Sequence, residues 1–103
     1  MASFFNITGE LTQELLAAGD NIRVNKISLT NMHADQSCNV DLYIEKSLKG
    51  KFYLIKSTLL PVGATLVYND INFNNSRDEF GLYIKLNKIE VGDDSPAVDV
   101  IIN

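Results

Sequence analysis

A single histidine and a single cysteine bound the chemistry open to this chain. Acid–base catalysis near neutral pH draws first on histidine, and nucleophilic catalysis on a Ser or Cys held beside a base. His33 stands in the polar stretch 31–37 with no second histidine and no nucleophile pattern beside it, so it reads as an exposed loop residue. Cys38 opens an apolar run and reads as a small buried side chain. Alone, it excludes an intramolecular disulfide and a cysteine-based zinc site, and it fits assembly in a reducing compartment. The sequence contains no glycine-rich phosphate loop, no histidine pair at metal-ligand spacing and no nucleophile elbow. These residues predict a protein that is not an enzyme and uses no cofactor.

Oxygen ligands are the remaining route to a metal. Asp93 and Asp94 flanked by Gly92 and Ser95, or Asp70 with Asp78 and Glu79, have the right donor atoms for calcium. Neither set follows the alternating acid order and closing glutamate of a helix–loop–helix site, so both read as solvated turn acids, and no metal is expected. Lys46, Lys49 and Lys51 put three of nine basic residues on one short stretch. Such charge keeps an exposed β-edge from pairing with strangers, or meets an acidic neighbouring subunit. Two glycosylation patterns, Asn6-Ile7-Thr8 and Asn74-Asn75-Ser76, have no export signal to give them meaning. Tyr43, Tyr53, Tyr68 and Tyr83 fall mostly out of phase with the apolar positions. They suit a subunit interface at least as well as a sugar, since there is no Trp to stack on a sugar ring.

The elements that would position these groups are strands. Val40, Leu42 and Ile44 alternate with Asp41, Tyr43 and Glu45, the period of a ribbon with one dry face. The basic tip 46–51 reverses the chain, and Phe52, Leu54, Tyr53 and Ile55 carry it back. Pro61-Val62-Gly63 stops that run, and 64–68 starts another strand. Leu82, Ile84 and Leu86 make a further half-buried strand, with Ile89 and Val91 placed to continue it past an irregularity. Val98, Val100 and Ile102 close the chain after the turn 92–96. Toward the start, 21–31 reads as a strand with one irregularity: the apolar parity changes between Val24 and Ile27, so either the strand is buried on both sides or an extra residue near Asn25 forms a bulge that re-aims it.

Stretch 10–18 is ambiguous: Leu11, Leu15 and Ala18 fit a short helix capped at Gly19, while Leu11, Gln13 and Leu15 fit one side of a strand. Strand is favoured. Phe4, Phe5 and Ile7 form an apolar opening, an edge strand or an N-terminal arm spanning 1–9. Two adjacent aromatics point to opposite sides of a strand, which marks Phe4 and Phe5, with Lys46, Lys49 and Lys51, as candidate contact residues. In the polar loop 69–79 only Ile71 and Phe73 look anchored. The connections 31–37 and 69–79 are long enough to cross between sheets, and Gly63 and Gly92 mark corners. The expected fold is all-β: an antiparallel two-sheet β-sandwich, jelly-roll-like, of about eight strands with at most one short helix.

Length and composition agree. The 103 residues supply one domain with one core. A hydrophobic share of 46% argues against wholesale disorder. A formal net charge of -4 argues against a duplex nucleic-acid binder, which needs a basic stripe to displace counterions. The opening residues lack a secretory pattern, and no stretch is apolar enough to span a membrane as a helix.

From 21 onward the order of segments resembles small virion structural proteins of tailed bacteriophages. The likeness runs through Ile27-Ser28-Leu29-Thr30-Asn31, Val40-Asp41-Leu42-Tyr43-Ile44, the turn Pro61-Val62-Gly63-Ala64-Thr65-Leu66, Leu82-Tyr83-Ile84-Lys85-Leu86 and Val98-Asp99-Val100-Ile101-Ile102. The resemblance implies a homo-oligomeric, non-enzymatic protein made in the host bacterial cytoplasm and carried in the virion. The implied role is capsid decoration, a cement protein bound to major capsid subunits. Alternatives are a collar, neck or tail-associated protein, and, from a different class, a carbohydrate-binding module in host recognition.

Overall fold

Alternating apolar and polar side chains commit this chain to ribbons with one dry face each. The computed structural model describes residues 3–18, 23–46, 48–69, 71, the backbone of 73–74, and 80–103. Its strands are β1 (Ser3–Thr8), β2 (Gln13–Leu16), β3 (Arg23–Val24), β4 (Ile27–Asn31), β5 (Cys38–Lys46), β6 (Gly50–Leu60), β7 (Thr65–Tyr68), β8 (Phe73–Asn74), β9 (Gly81–Lys88) and β10 (Ala97–Ile102). Among the described residues there is no helix, so the stretch around β2 is strand.

Two four-stranded sheets form, in the orders β1-β10-β4-β7 and β2-β9-β5-β6, with β3 and β8 paired beside them. Every pairing is antiparallel. Setting the short β3–β8 pair aside, the chain alternates between the sheets at each connection except the β5–β6 hairpin. That is the interlocked double Greek key of a jelly roll. β4 and β5 lie in different sheets, as do β7 and β9, in keeping with the length of the stretches 31–37 and 69–79 between them.

The core lies between the sheets. Val24, Ile27, Leu29, Val40, Leu42, Leu82, Ile84 and Leu86 are all 0% exposed. Each contributes about 1.5–3 kcal/mol of burial free energy. Phe5, Ile44, Leu54, Leu66, Tyr68 and Ile71 pack against this cluster from its margin. The opening segment from Ser3 is an edge strand, paired with β10 along its length.

Four details differ from the alternation of the sequence. The described part of stretch 21–31, from Arg23 on, is broken into β3 and β4 at Asn25–Lys26, whose amides both donate to the Asn103 carbonyl at 2.7 and 3.0 Å, while Asn21 and Ile22 lie outside the described residues. This break lets Val24 and Ile27 both reach the core. A register shift in β2 between Glu14 and Leu16 buries Leu15 and Leu16 together, and leaves Leu11 and Gln13 in solvent. Third, β6 carries two more residues than β5 needs: Val40 pairs with Thr58, Leu42 with Ile55, and Tyr43 with Tyr53. One of these bulges is held by Asp41, whose Oδ1 accepts the Ser57 N–H at 2.6 Å, with Ser57 at a φ of 48°. Finally, β9 ends at Lys88. Ile89 and Val91 do not continue it; they stand in an exposed turn closed by the Asp93 N–H on the Glu90 carbonyl at 3.0 Å.

Candidate functional site

The residues with chemical potential are dispersed by this fold. Cys38 is 1% exposed at the start of β5, and burial pushes its thiol pKa up, away from the reactive thiolate. His33 is not exposed in the loop; it is half-buried and organises it. Its Nδ1 accepts the N–H groups of Asp35 at 3.2 Å and Gln36 at 3.1 Å, and Nε2 lies 3.9 Å from Asp94 Oδ2. With Nδ1 accepting two amides, its 3.2 Å approach to Asp35 Oδ1 is proximity and not an ion pair. Asp93 Oδ2 accepts the Glu90 N–H at 3.1 Å, and the Asp94 N–H donates to Gln36 Oε1 at 2.7 Å. Among the described residues no three His, Cys, Asp or Glu side chains converge as metal ligands. Asp70, Asp78 and Glu79 lie outside the described residues.

The fold instead builds surfaces. Register places the connections 9–12, 32–37, 61–64 and 89–96 at one end of the sandwich: Cys38 pairs with Lys88 and Leu60, and Val98 with Asn31 and Ile7. Buried Asn31, at the end of β4, ties two of them together, 32–37 and the start of 61–64. Its Nδ2 donates to the carbonyls of Leu60 at 3.0 Å and Gln36 at 3.1 Å, and its Oδ1 accepts the His33 N–H at 2.8 Å. Lys88 adds the fourth contact, its N–H on Glu10 Oε2 at 2.8 Å. On this framework Leu11 (85% exposed), Met32, Val62, Ile89 and Val91 (97%) stand in solvent. Glu10, Asp35, Glu90, Asp93 and Asp94 lie among them, and Glu10, Lys88, Ile89, Glu90 and Val91 line a shallow cleft. The sequence signal for this cluster was parity: Asn31 shares the inward phase of Ile27 and Leu29.

The outer face of the β1-β10-β4-β7 sheet is nearly uncharged. Phe4, Ile101, Ser28 and Val67 lie in one cross-strand row, with Phe4 71% exposed. The adjacent row is Asn6, Asp99, Thr30 and Thr65. Asn6 Nδ2 donates to Asp99 Oδ1 at 2.6 Å, and the Thr30 and Thr65 hydroxyls are 2.8 Å apart. Asp99 is the single formal charge in the two rows. Of the two N-terminal aromatics, Phe4 faces solvent and Phe5 packs against the core.

The outer face of the other sheet is aromatic and charged. Glu14, Tyr83, Tyr43 and Tyr53 form a row across all four strands. Tyr43 stacks on Tyr83 (5.5 Å, 19°) and tilts against Tyr53 (5.2 Å, 46°). Lys51 Nζ sits 4.9 Å above the Tyr43 ring and Lys56 Nζ 4.3 Å above Tyr53. Tyr83 Oη donates to Glu14 Oε2 at 3.4 Å, a long bond. Tyr43 is only 4% exposed, because its neighbours cover both ring faces. Tyr68 is absent from this group; it turns inward from β7.

The remaining surface is the β5–β6 tip, at the end opposite the four loops, since Glu45 pairs with Gly81 while Cys38 pairs with Lys88. Leu48 is fully exposed there at a φ of 68°, between Lys46, Lys49 and Lys51. Lys46 Nζ also lies 5.8 Å from the Phe80 ring, which meets Phe52 edge-on.

No protein-family model matches the chain, and no curated protein is detectably similar in sequence. Solved structures resemble it in shape. The crystal structure of PirA superposes with a TM-score of 0.62 at 12% identity, covering 97% of this chain and 93% of that one. The Yersinia pseudotuberculosis-derived mitogen gives 0.56 at 8% identity, over 100% of this chain and 85% of that one. The structure of infectious bursal disease virus Gx strain gives 0.49 at 14%, over 98% of this chain and 32% of that one. At these identities the likeness is one of fold, a β-sandwich, and it carries no shared activity.

Proposed function

We propose that this chain is a non-enzymatic structural protein of a bacteriophage virion, a decoration protein that binds major capsid subunits and ties them together. The observation that carries this reading is the outer face of the β1-β10-β4-β7 sheet. A row of apolar side chains, Phe4, Ile101 and Val67, lies in register beside a row with one charge, on strands backed by a closed core. A weakly charged face with exposed apolar side chains suits a protein surface, and copy number compensates for modest affinity at each contact. The order of segments in the sequence supports the phage address. Collar, neck or tail attachment uses the same physics at another location.

The test is reconstitution. Particles stripped of this protein should lose resistance to heat or low salt, and should recover it when the purified protein is added back. Replacing Phe4 with Asp should abolish rebinding without unfolding the chain, because that side chain is largely exposed. Unchanged particle stability after stripping, with no density for the protein on the shell, would rule the reading out. The tyrosine row gives a second reading, a carbohydrate-binding module. Its ring faces are already occupied by one another and by lysines, which leaves Tyr53 as the accessible edge. Glycan-array binding above background that disappears in Tyr53→Ala would favour it.

A further inference from the structure

Among the described residues the loop end of the sandwich and the β5–β6 tip differ in charge, and both present apolar side chains. At the loop end five acids (Glu10, Asp35, Glu90, Asp93 and Asp94) surround Leu11, Ile89 and Val91, with Lys88 already engaged by Glu10 at 3.8 Å. At the other end the β5–β6 tip carries Lys46, Lys49 and Lys51 around Leu48, with Glu45 the acid on that tip. Neither Leu48 nor Val91 makes any use of its surface within the chain: they are 104% and 97% exposed. The left-handed backbone at Leu48 costs about 1–2 kcal/mol and is normally given to Gly or Asn. An exposed leucine kept in a strained turn, on a tip that also carries Lys46, Lys49 and Lys51, complements a cleft lined by Glu10, Lys88, Ile89, Glu90 and Val91, in which Lys88 is already paired with Glu10.

We propose that the β5–β6 tip of one copy docks through Leu48 into the acidic, apolar loop end of a second copy, so that chains associate head to tail. The partner is identified by complementarity of sign and by the apolar side chains at both surfaces: a basic projection with an apolar point, and an acidic loop end with Ile89 and Val91 in the wall of its cleft. Because the two surfaces are different and lie at opposite ends, the contact is heterologous, and each added copy leaves one free surface of each kind. The association closes into a ring or continues as a string. It is a property of the chain alone, and it does not depend on the capsid reading, whose proposed contact is the β1-β10-β4-β7 face.

Sedimentation velocity on the intact protein, with the single variants Leu48→Asp and Val91→Asp, tests this. The wild type should show concentration-dependent association that weakens at least tenfold when salt is raised from about 0.05 to 0.5 M, as screened charge requires. Each variant alone should be monomeric and fold normally, since both side chains are in solvent. Mixed in equal amounts they should form a dimer and stop there: Leu48→Asp supplies its intact loop end, Val91→Asp its intact tip. A wild type that stays monomeric at millimolar concentration, variants that associate like the wild type, or a mixture that forms no dimer would each overturn the proposal. Particle rebinding is scored separately, so loss of one result leaves the other standing.

Discussion

Three hydrogen bonds meet on the buried side chain of Asn31, and they join β4, the 32–37 loop and the end of β6. In Asn31→Ala the buried Leu60 carbonyl loses its side-chain donor, while Gln36 and His33 turn partly to water. Losing a buried hydrogen-bond donor costs ~1–3 kcal/mol, so a total loss of about 2–4 kcal/mol is expected. Urea denaturation should show it as a lower midpoint at unchanged slope. Asn31→Asp should be no better, because a carboxylate has no hydrogen to give either carbonyl. A loss below about 0.5 kcal/mol, the level of an ordinary surface substitution, would mean that the knot is dispensable.

Tyr83 makes the pH prediction. Burial raises its pKa above the ordinary 10, and the charge and hydrogen bond of Glu14, then Glu45 and Tyr43, add to the rise. The folded chain therefore holds this proton to higher pH than the unfolded chain does. Its contribution to stability is complete below pH 10 and is lost as pH climbs through the raised value. Tyr83→Phe should flatten the alkaline decline relative to wild type. Glu14→Gln should move the tyrosinate absorbance step of Tyr83 back toward 10 but not reach it, since burial persists. His33 shows what single-residue reading misses: its loop position was legible, but its two accepted amides depend on a turn shape that composition does not encode.

At the scale of elements, β5 was legible because Cys38, Val40 and Leu42 are buried in regular alternation with Asn39 and Asp41, and β6 was not. Two extra residues shift the phase of β6 against its partner, so Phe52, Leu54 and Ile55 cannot be sorted into faces by alternation. Ile89 and Val91 mislead in the opposite way. Their own alternation suggests that β9 resumes past an irregularity, yet the backbone turns away at Glu90, and apolar spacing alone cannot report that a strand has ended. One element-level device is testable at Gly81. A Cβ there would lie 2.9 Å from Tyr83 Cε1 and 3.0 Å from its Oη, so the glycine makes room for the ring that stacks on Tyr43. Gly81→Ala should displace the ring and cost about 1–3 kcal/mol, as overpacking does. In a Tyr83→Ala background the same substitution should cost much less. Equal costs in the two backgrounds would show that the ring is not what the glycine accommodates.

For the whole molecule, residue pattern predicted two sheets and the crossings between them, but could not supply strand order. Alternation says which side of a ribbon is dry and nothing about which ribbon lies beside it. Here the neighbours are mostly remote: β1 pairs with β10, β2 with β9, and β4 with β7 and β10. Among the described pairings only β5–β6 joins consecutive strands. That asymmetry has a kinetic consequence. Long loops must close before the remote pairs return any free energy, so refolding should fall in the millisecond-to-second range of sandwich folds. The β5–β6 hairpin, with β9 laid on it, is the cheapest nucleus, and the β1–β10 pair that joins the two chain ends closes last. Leu42→Ala in β5 and Ile102→Ala in β10 each remove a buried side chain and should each cost about 2–5 kcal/mol. The first should act mainly by slowing refolding, the second mainly by speeding unfolding, in stopped-flow chevrons. If Ile102→Ala slows refolding as much as Leu42→Ala does, the two sheets assemble together and the hairpin does not lead.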